Sequence, residues 1–353
     1  MKISIQPRAS GFSLVEIMVA MVIGLIGILV IFQVFSVSES YRRTATGGGD
    51  AQQAGAVALY VLEHEMRQAG WGFNSQNAIG CNVQAYDKTQ GVLAAYTLVP
   101  VRITPAAGAT GSDTVEVNYG NNNSTLAPTS IYQNMVVSTE AVIVSNRYGF
   151  VAGDLFLVAE PGKNCTLSQV TSLPAAPLTT TINRDAASGL SRYNNPAGSG
   201  VLYTVNGFLF NLGSAPSRNI YSVVNNSLVM VPFLNSPASQ AVADNIVQMK
   251  AQYGMDDGVG GTAGDGIVDE WINTPQPTTA AQWAQMLAVR IGIVARSATP
   301  EKPNVGSTCD ATAAAPSWAG GTFNLSATTD WQCYRYKVFQ TTIPVRNMLW
   351  AQG

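Results

Sequence analysis

Apolar residues follow three patterns along the chain. From Phe12 to Phe35 they run almost without a break, with only Ser13, Glu16 and Gln33 interrupting. From Ala51 to Gly70 they recur at three- and four-residue spacing through Ala54, Val57, Ala58, Val61, Leu62 and Met66, with Glu63, Glu65, Arg67 and Gln68 on other faces. Beyond Trp71 they form short alternating or β-branched runs separated by clusters of Gly, Asn, Pro and Ser.

The first pattern predicts a helix long enough, at roughly 1.5 Å per residue, to cross a bilayer. Its apolar core continues into Ser36, Ser38, Glu39 and Ser40 with no small-residue cleavage site, so the helix is expected to be kept. The second pattern predicts an amphipathic helix. No proline lies between Phe12 and Val99, which favours one long helix ended by Gly70, Trp71 and Gly72. Gly47, Gly48 and Gly49 predict a weak or melted turn within it, since each glycine costs about 1 kcal/mol in a helix interior.

The third pattern predicts strands at Val92 to Ile103, Thr114 to Tyr119, Glu140 to Ser145, Asp154 to Ala159, Val201 to Phe210, Ile220 to Val224, Leu228 to Val231, Ile246 to Tyr253, Leu287 to Arg296 and Tyr334 to Ile343. Gln282 to Gln285 adds a short helical turn. One helix followed by strands excludes a doubly wound parallel sheet. The expected fold is α+β: a long N-terminal helix laid on antiparallel β-sheet with extended loops.

Charge and cysteine content narrow the function. The net charge is −2 and the lysines are scattered, so there is no basic stripe for nucleic acid. Lys2 and Arg8 before the apolar helix are balanced by Arg42 and Arg43 after it, and loop charge alone leaves its orientation open. The four cysteines suit two disulfides in an oxidising compartment. Of three pairings the expected one is Cys81 with Cys165 and Cys309 with Cys333, because the last two flank a Gly-, Ala- and Thr-rich loop. Zinc is a poor fit, with no C-x-x-C and a single histidine, His64.

No catalytic motif is present. His64 lies in E-H-E-M-R and not H-E-x-x-H, and neither G-x-S-x-G nor a Walker loop occurs. The acidic segment from Met255 to Trp271 admits two readings. Asp257, Asp265, Asp269 and Glu270 offer oxygens for calcium, yet the glycine-rich stretch from Gly258 to Gly264 departs from an EF-type loop and favours a solvated hairpin without a cofactor.

Glu16 is the residue out of place, because a carboxylate at a bilayer centre costs roughly 2.5 to 3.5 kcal/mol on insertion scales. Together with Lys2, Arg8, Gly11, Phe12 and Leu14 it resembles the class III signal of type IV pilins and pseudopilins. The resemblance implies cleavage by a prepilin peptidase between Gly11 and Phe12, N-methylation of Phe12, and a docking role for Glu16 against the amine of a neighbouring subunit.

Three further blocks, Q-Y-G-M-D (Gln252 to Asp256) with D-G-I-V-D, the run from Trp283 to Ser297, and V-F-Q-T-T-I-P-V-R-N (Val338 to Asn347), join A-G-W-G at Ala69 to Gly72 in resembling PilW-type minor pilins. That family implies a leader over 1–11, a helix over 12–70 with its membrane half at 12–35, and a β-rich pilin domain over 71–353. It also implies a non-enzymatic subunit, held in the inner membrane with a periplasmic domain before entering a pilus. Its partners would be other minor pilins, the major pilin and a tip adhesin. A type II secretion pseudopilin, a tip adhesin and a membrane-anchored hydrolase are the alternatives.

Overall fold

The computed structural model describes residues 11–122, 127–234, 238–303 and 308–349, so Lys2 and Arg8 lie outside the described residues. A single helix, Leu14–Gln68, opens the fold. Ser13 caps it, its side chain accepting from the Val15 N–H. The helix stays continuous through Gly47, Gly48 and Gly49, where a melted turn was expected. Packing is the reason. A Cβ on Gly47 would stand 2.9 Å from the Ser297 Cβ, so the missing side chain admits a neighbouring loop. Thr44 donates to Glu301 at 3.0 Å one turn earlier, and Ala51 is fully buried.

The second half of the helix buries Ala51, Ala58, Leu62, Met66 and Ala69, while Val57 from the predicted stripe is exposed. Gly55 faces the same way. A Cβ there would lie 2.1 Å from the Phe339 ring, so the glycine is the hole into which that ring fits. Glu65 fastens the end of the helix, accepting from the Tyr119 hydroxyl at 3.0 Å and from Asn219 at 2.8 Å.

Two antiparallel sheets receive this helix. One has the order Gln240–Asp244, Ser227–Pro232, Ser217–Val224, Thr114–Tyr119 and Val101–Thr104. The other has the order Glu270–Ile272, Ile246–Met255, Met286–Arg296 and Tyr336–Pro344. Val115, Val117, Tyr221, Met249, Tyr253, Val289, Ile291, Ile293 and Ile343 join the helix residues in one core. Short helix Ala280–Ala284 leads into Met286–Arg296.

A third sheet of six strands lies beside them, and one of its pairings is parallel, between Asn82–Gln84 and Cys165–Gln169. Along its strand Leu155–Ala159, Leu155, Leu157 and Ala159 enter one core and Phe156 and Val158 another, so both faces are covered.

Some predicted strands are shorter than their sequences suggest. Val92 to Ile103 is cut by Pro100, which has no N–H to give a ladder, leaving Gly91–Val92, Tyr96–Thr97 and Val101–Thr104. Glu140 to Ser145 shrinks to Val142–Ile143. Of Val201 to Phe210 only the end joins a strand, Phe208–Gly213, because side chains capture the earlier backbone: Glu160 accepts from the Thr204 N–H at 2.7 Å, and Asn134 from that of Val205 at 2.9 Å.

Candidate functional site

Three places carry the predicted site residues. At the N-terminal end, Gly11 and Phe12 precede the Ser13 cap, and Glu16 sits in the first helical turn, where its charge complements the helix dipole. Among the described residues Glu16 has no hydrogen-bond or ion-pair partner. Among the described residues nothing covers this region: the large apolar side chains from Phe12 to Phe35 are exposed by between 46% at Ile17 and 80% at Phe12. Leaving that many apolar side chains in water is unfavourable by about 25 cal/mol per Å², so lipid or other helices must cover them.

The disulfides tie the β-rich part together. Cys81 is bonded to Cys165, with a Cα separation of 5.8 Å, beside the parallel strand pair. Cys309 is bonded to Cys333, closing a loop with a sequence separation of 24. Its closing cysteine is linked to the helix through Glu301: the Glu301 N–H donates to the Cys333 carbonyl at 2.7 Å, and the Glu301 carboxylate bonds Arg335 and Thr44.

The acidic segment folds on itself. Asp256, Asp265 and Asp269 place carboxylate oxygens within 4.8 Å of one another. Asp257 and Glu270, expected with them, stand outside this group, and Asp257 accepts from the Val259 N–H at 3.1 Å. Partial burial, then the Asp257 and Asp269 carboxylates, hold Glu270 above the usual carboxylate range.

Asp256, buried at the end of the Q-Y-G-M-D strand, is the member that sequence reasoning missed. Its position before the D-G pair was the available signal. Both its oxygens accept backbone N–H groups, from Gly264 at 2.5 Å and Gly266 at 2.8 Å, and Asp269 accepts from Gly258 at 2.6 Å. Calcium takes six to eight oxygens at about 2.3 to 2.6 Å, so three carboxylates already engaged by the loop supply only part of a shell.

His64 is exposed on the helix, stacked on Tyr60 and 3.0 Å from the Gln68 amide, among no nucleophile or metal ligand.

Comparison with known proteins agrees with this arrangement at both ends of the chain. Residues 6–32 match the prokaryotic N-terminal methylation motif, and residues 221–347 match the family described as Type IV Pilus-assembly protein W. The chain is PilW-like behind a pilin-type start. The second match contains the four-stranded sheet that packs on the helix, the acidic segment and the Cys309–Cys333 bond. Among solved structures the chain is similar to the type IV-like pilin TTHA1219 from Thermus thermophilus, at 9% identity and a TM-score of 0.35, over 83% of this chain and 94% of that one. No curated protein matches it at a significant level.

Proposed function

We propose that this chain is a minor pilin that helps to initiate and cap type IV pilus assembly at or near the tip, in support of adhesion and twitching motility. The observation that carries the proposal is one helix with two different surroundings. Its first half is uncovered and apolar, and its second half is built into the core of a large β-rich domain.

A prepilin peptidase would cut between Gly11 and Phe12, leaving a methylated amine on Phe12. The helix from Phe12 to Phe35 would hold the subunit in the inner membrane, with residues 71–353 in the periplasm. On assembly it would exchange lipid for the helices of other minor pilins and the major pilin. Glu16 would then meet the amine of a neighbour, an ion pair whose value rests on its being shielded from water. Gly24 and Gly27, with open space around them, would let another helix approach closely.

The bulk of the β-rich part favours the end of a filament, where it has no identical neighbour to fit. Deletion of the gene tests the assignment. Loss of most surface filaments with secretion intact is the expected result, and filaments in normal number with a secretion defect would place the chain among type II pseudopilins instead.

A further inference from the structure

The six-stranded sheet carries a cavity of about 900 Å³ remote in sequence from the assembly helix. Its walls come from the strands Asn82–Gln84 and Cys165–Gln169 and from loops containing Thr139, Arg184 and Asn195. The volume lies within the range of small-molecule sites, roughly 300 to 1,000 Å³.

Arg184 lines this cavity and is only 6% exposed. Its Nε donates to the Glu140 carbonyl at 2.8 Å, Nη2 to the Ser138 carbonyl at 2.8 Å, and Nη1 to the Ser168 hydroxyl at 3.3 Å. All three acceptors are neutral. The Glu140 carboxylate is turned instead to the N–H groups of Val136 and Val137, and Asp185 accepts from the Ala187 N–H at 2.9 Å.

The contrast with Arg218 is informative. That side chain is equally buried, but Glu116 lies 2.8 Å from its Nε. Among the described residues no carboxylate forms an ion pair with Arg184. Burial pushes the Arg184 pKa down from its ordinary value, and the Glu140 carboxylate, acting through space without a direct contact, offsets this only in part. Of the five N–H groups of a guanidinium, three are used and two remain for a ligand at the cavity wall.

We propose that this cavity binds an acidic sugar, whose carboxylate makes the direct ion pair that Arg184 lacks. Arg184 is the one cation and Asp185, held by the Ala187 N–H, the one carboxylate among the described lining residues, a balance that suits a monoanion better than a phosphate dianion. A bare carboxylate would leave most of the volume empty. The remaining wall is matched to a sugar: Gln84, Thr139 and Asn195 bring amide and hydroxyl groups, and Tyr86 an aromatic ring. Tyr193 closes the wall, its hydroxyl spent on the Leu234 carbonyl at 2.6 Å and its ring covered by the Arg192 guanidinium. The site is independent of the assembly role and would operate on any filament or membrane carrying the domain.

Titration of glucuronate, glucose and acetate into the full-length protein in detergent, followed by calorimetry, tests the proposal. Glucuronate should bind saturably, with glucose and acetate each at least about tenfold weaker, a difference of roughly 1.4 kcal/mol. Arg184→Gln should abolish binding. Thr139 is exposed at the cavity rim, so Thr139→Trp should also abolish it while leaving thermal melting unchanged. No glucuronate binding, glucose binding as tight as glucuronate, acetate binding as tight as glucuronate, or full binding by a folded Thr139→Trp protein would each overturn the proposal.

Discussion

Single residues decide how the acidic segment and the helix hold their shapes. Asp256 is the keystone of its loop, since both carboxylate oxygens are engaged by N–H groups 8 and 10 residues further on. Asp256→Ala should therefore lower stability by about 1.5 to 3 kcal/mol, the range for hydrogen bonds to a charged group. The loss should be the same in EDTA as in buffer with calcium, read from denaturant unfolding of both proteins. A wild-type protein stabilised by calcium, with the variant unresponsive, would show instead that Asp256, Asp265 and Asp269 work as a cation site. Gly55 makes the complementary point for the helix, where the Phe339 ring occupies the space a side chain would take. A glycine in a helical run reads only as a weak position until the ring that fills it is known.

At the scale of elements, what could be read from sequence divides by how local its cause is. The apolar run, the amphipathic stripe and the long strands Ile246–Met255 and Met286–Arg296 follow from spacing alone, and so does the short helix before the latter. The glycine turn at Gly47 was misjudged because the contact that holds it, with Ser297, lies 250 residues away in the chain. The parallel pairing of Asn82–Gln84 with Cys165–Gln169 has the same origin, in register set by tertiary packing. In the candidate site, Gly11, Phe12 and Glu16 were legible as a linear motif, whereas Asp256 and Arg184 owe their importance to burial that spacing does not encode.

The loop closed by Cys309–Cys333 connects these observations, because its Cys333 carbonyl holds the N–H of Glu301, whose carboxylate meets Thr44 just before the three glycines. In the chain-entropy account, closing such a loop contributes roughly 3 kcal/mol. Replacing both cysteines by serine should speed amide exchange across residues 44–51 more than across 58–66, where the helix is held by its own core. Equal protection of the two segments would mean that the loop does not steady the helix.

The whole molecule combines an apolar half-helix that no described residue covers with a β-rich part that grips the other half of the same helix. Movement of the first half between lipid and a helical bundle would carry the domain as a rigid load, since no break separates the two halves. That account depends on processing at Gly11. The decisive measurement is intact mass with N-terminal sequencing of the protein recovered from membranes with and without a prepilin peptidase. A mature chain beginning at N-methylated Phe12, formed only when the peptidase is present, is the predicted result. A chain beginning at Met1 in both samples would contradict it and leave Phe12 to Phe35 as a plain membrane anchor.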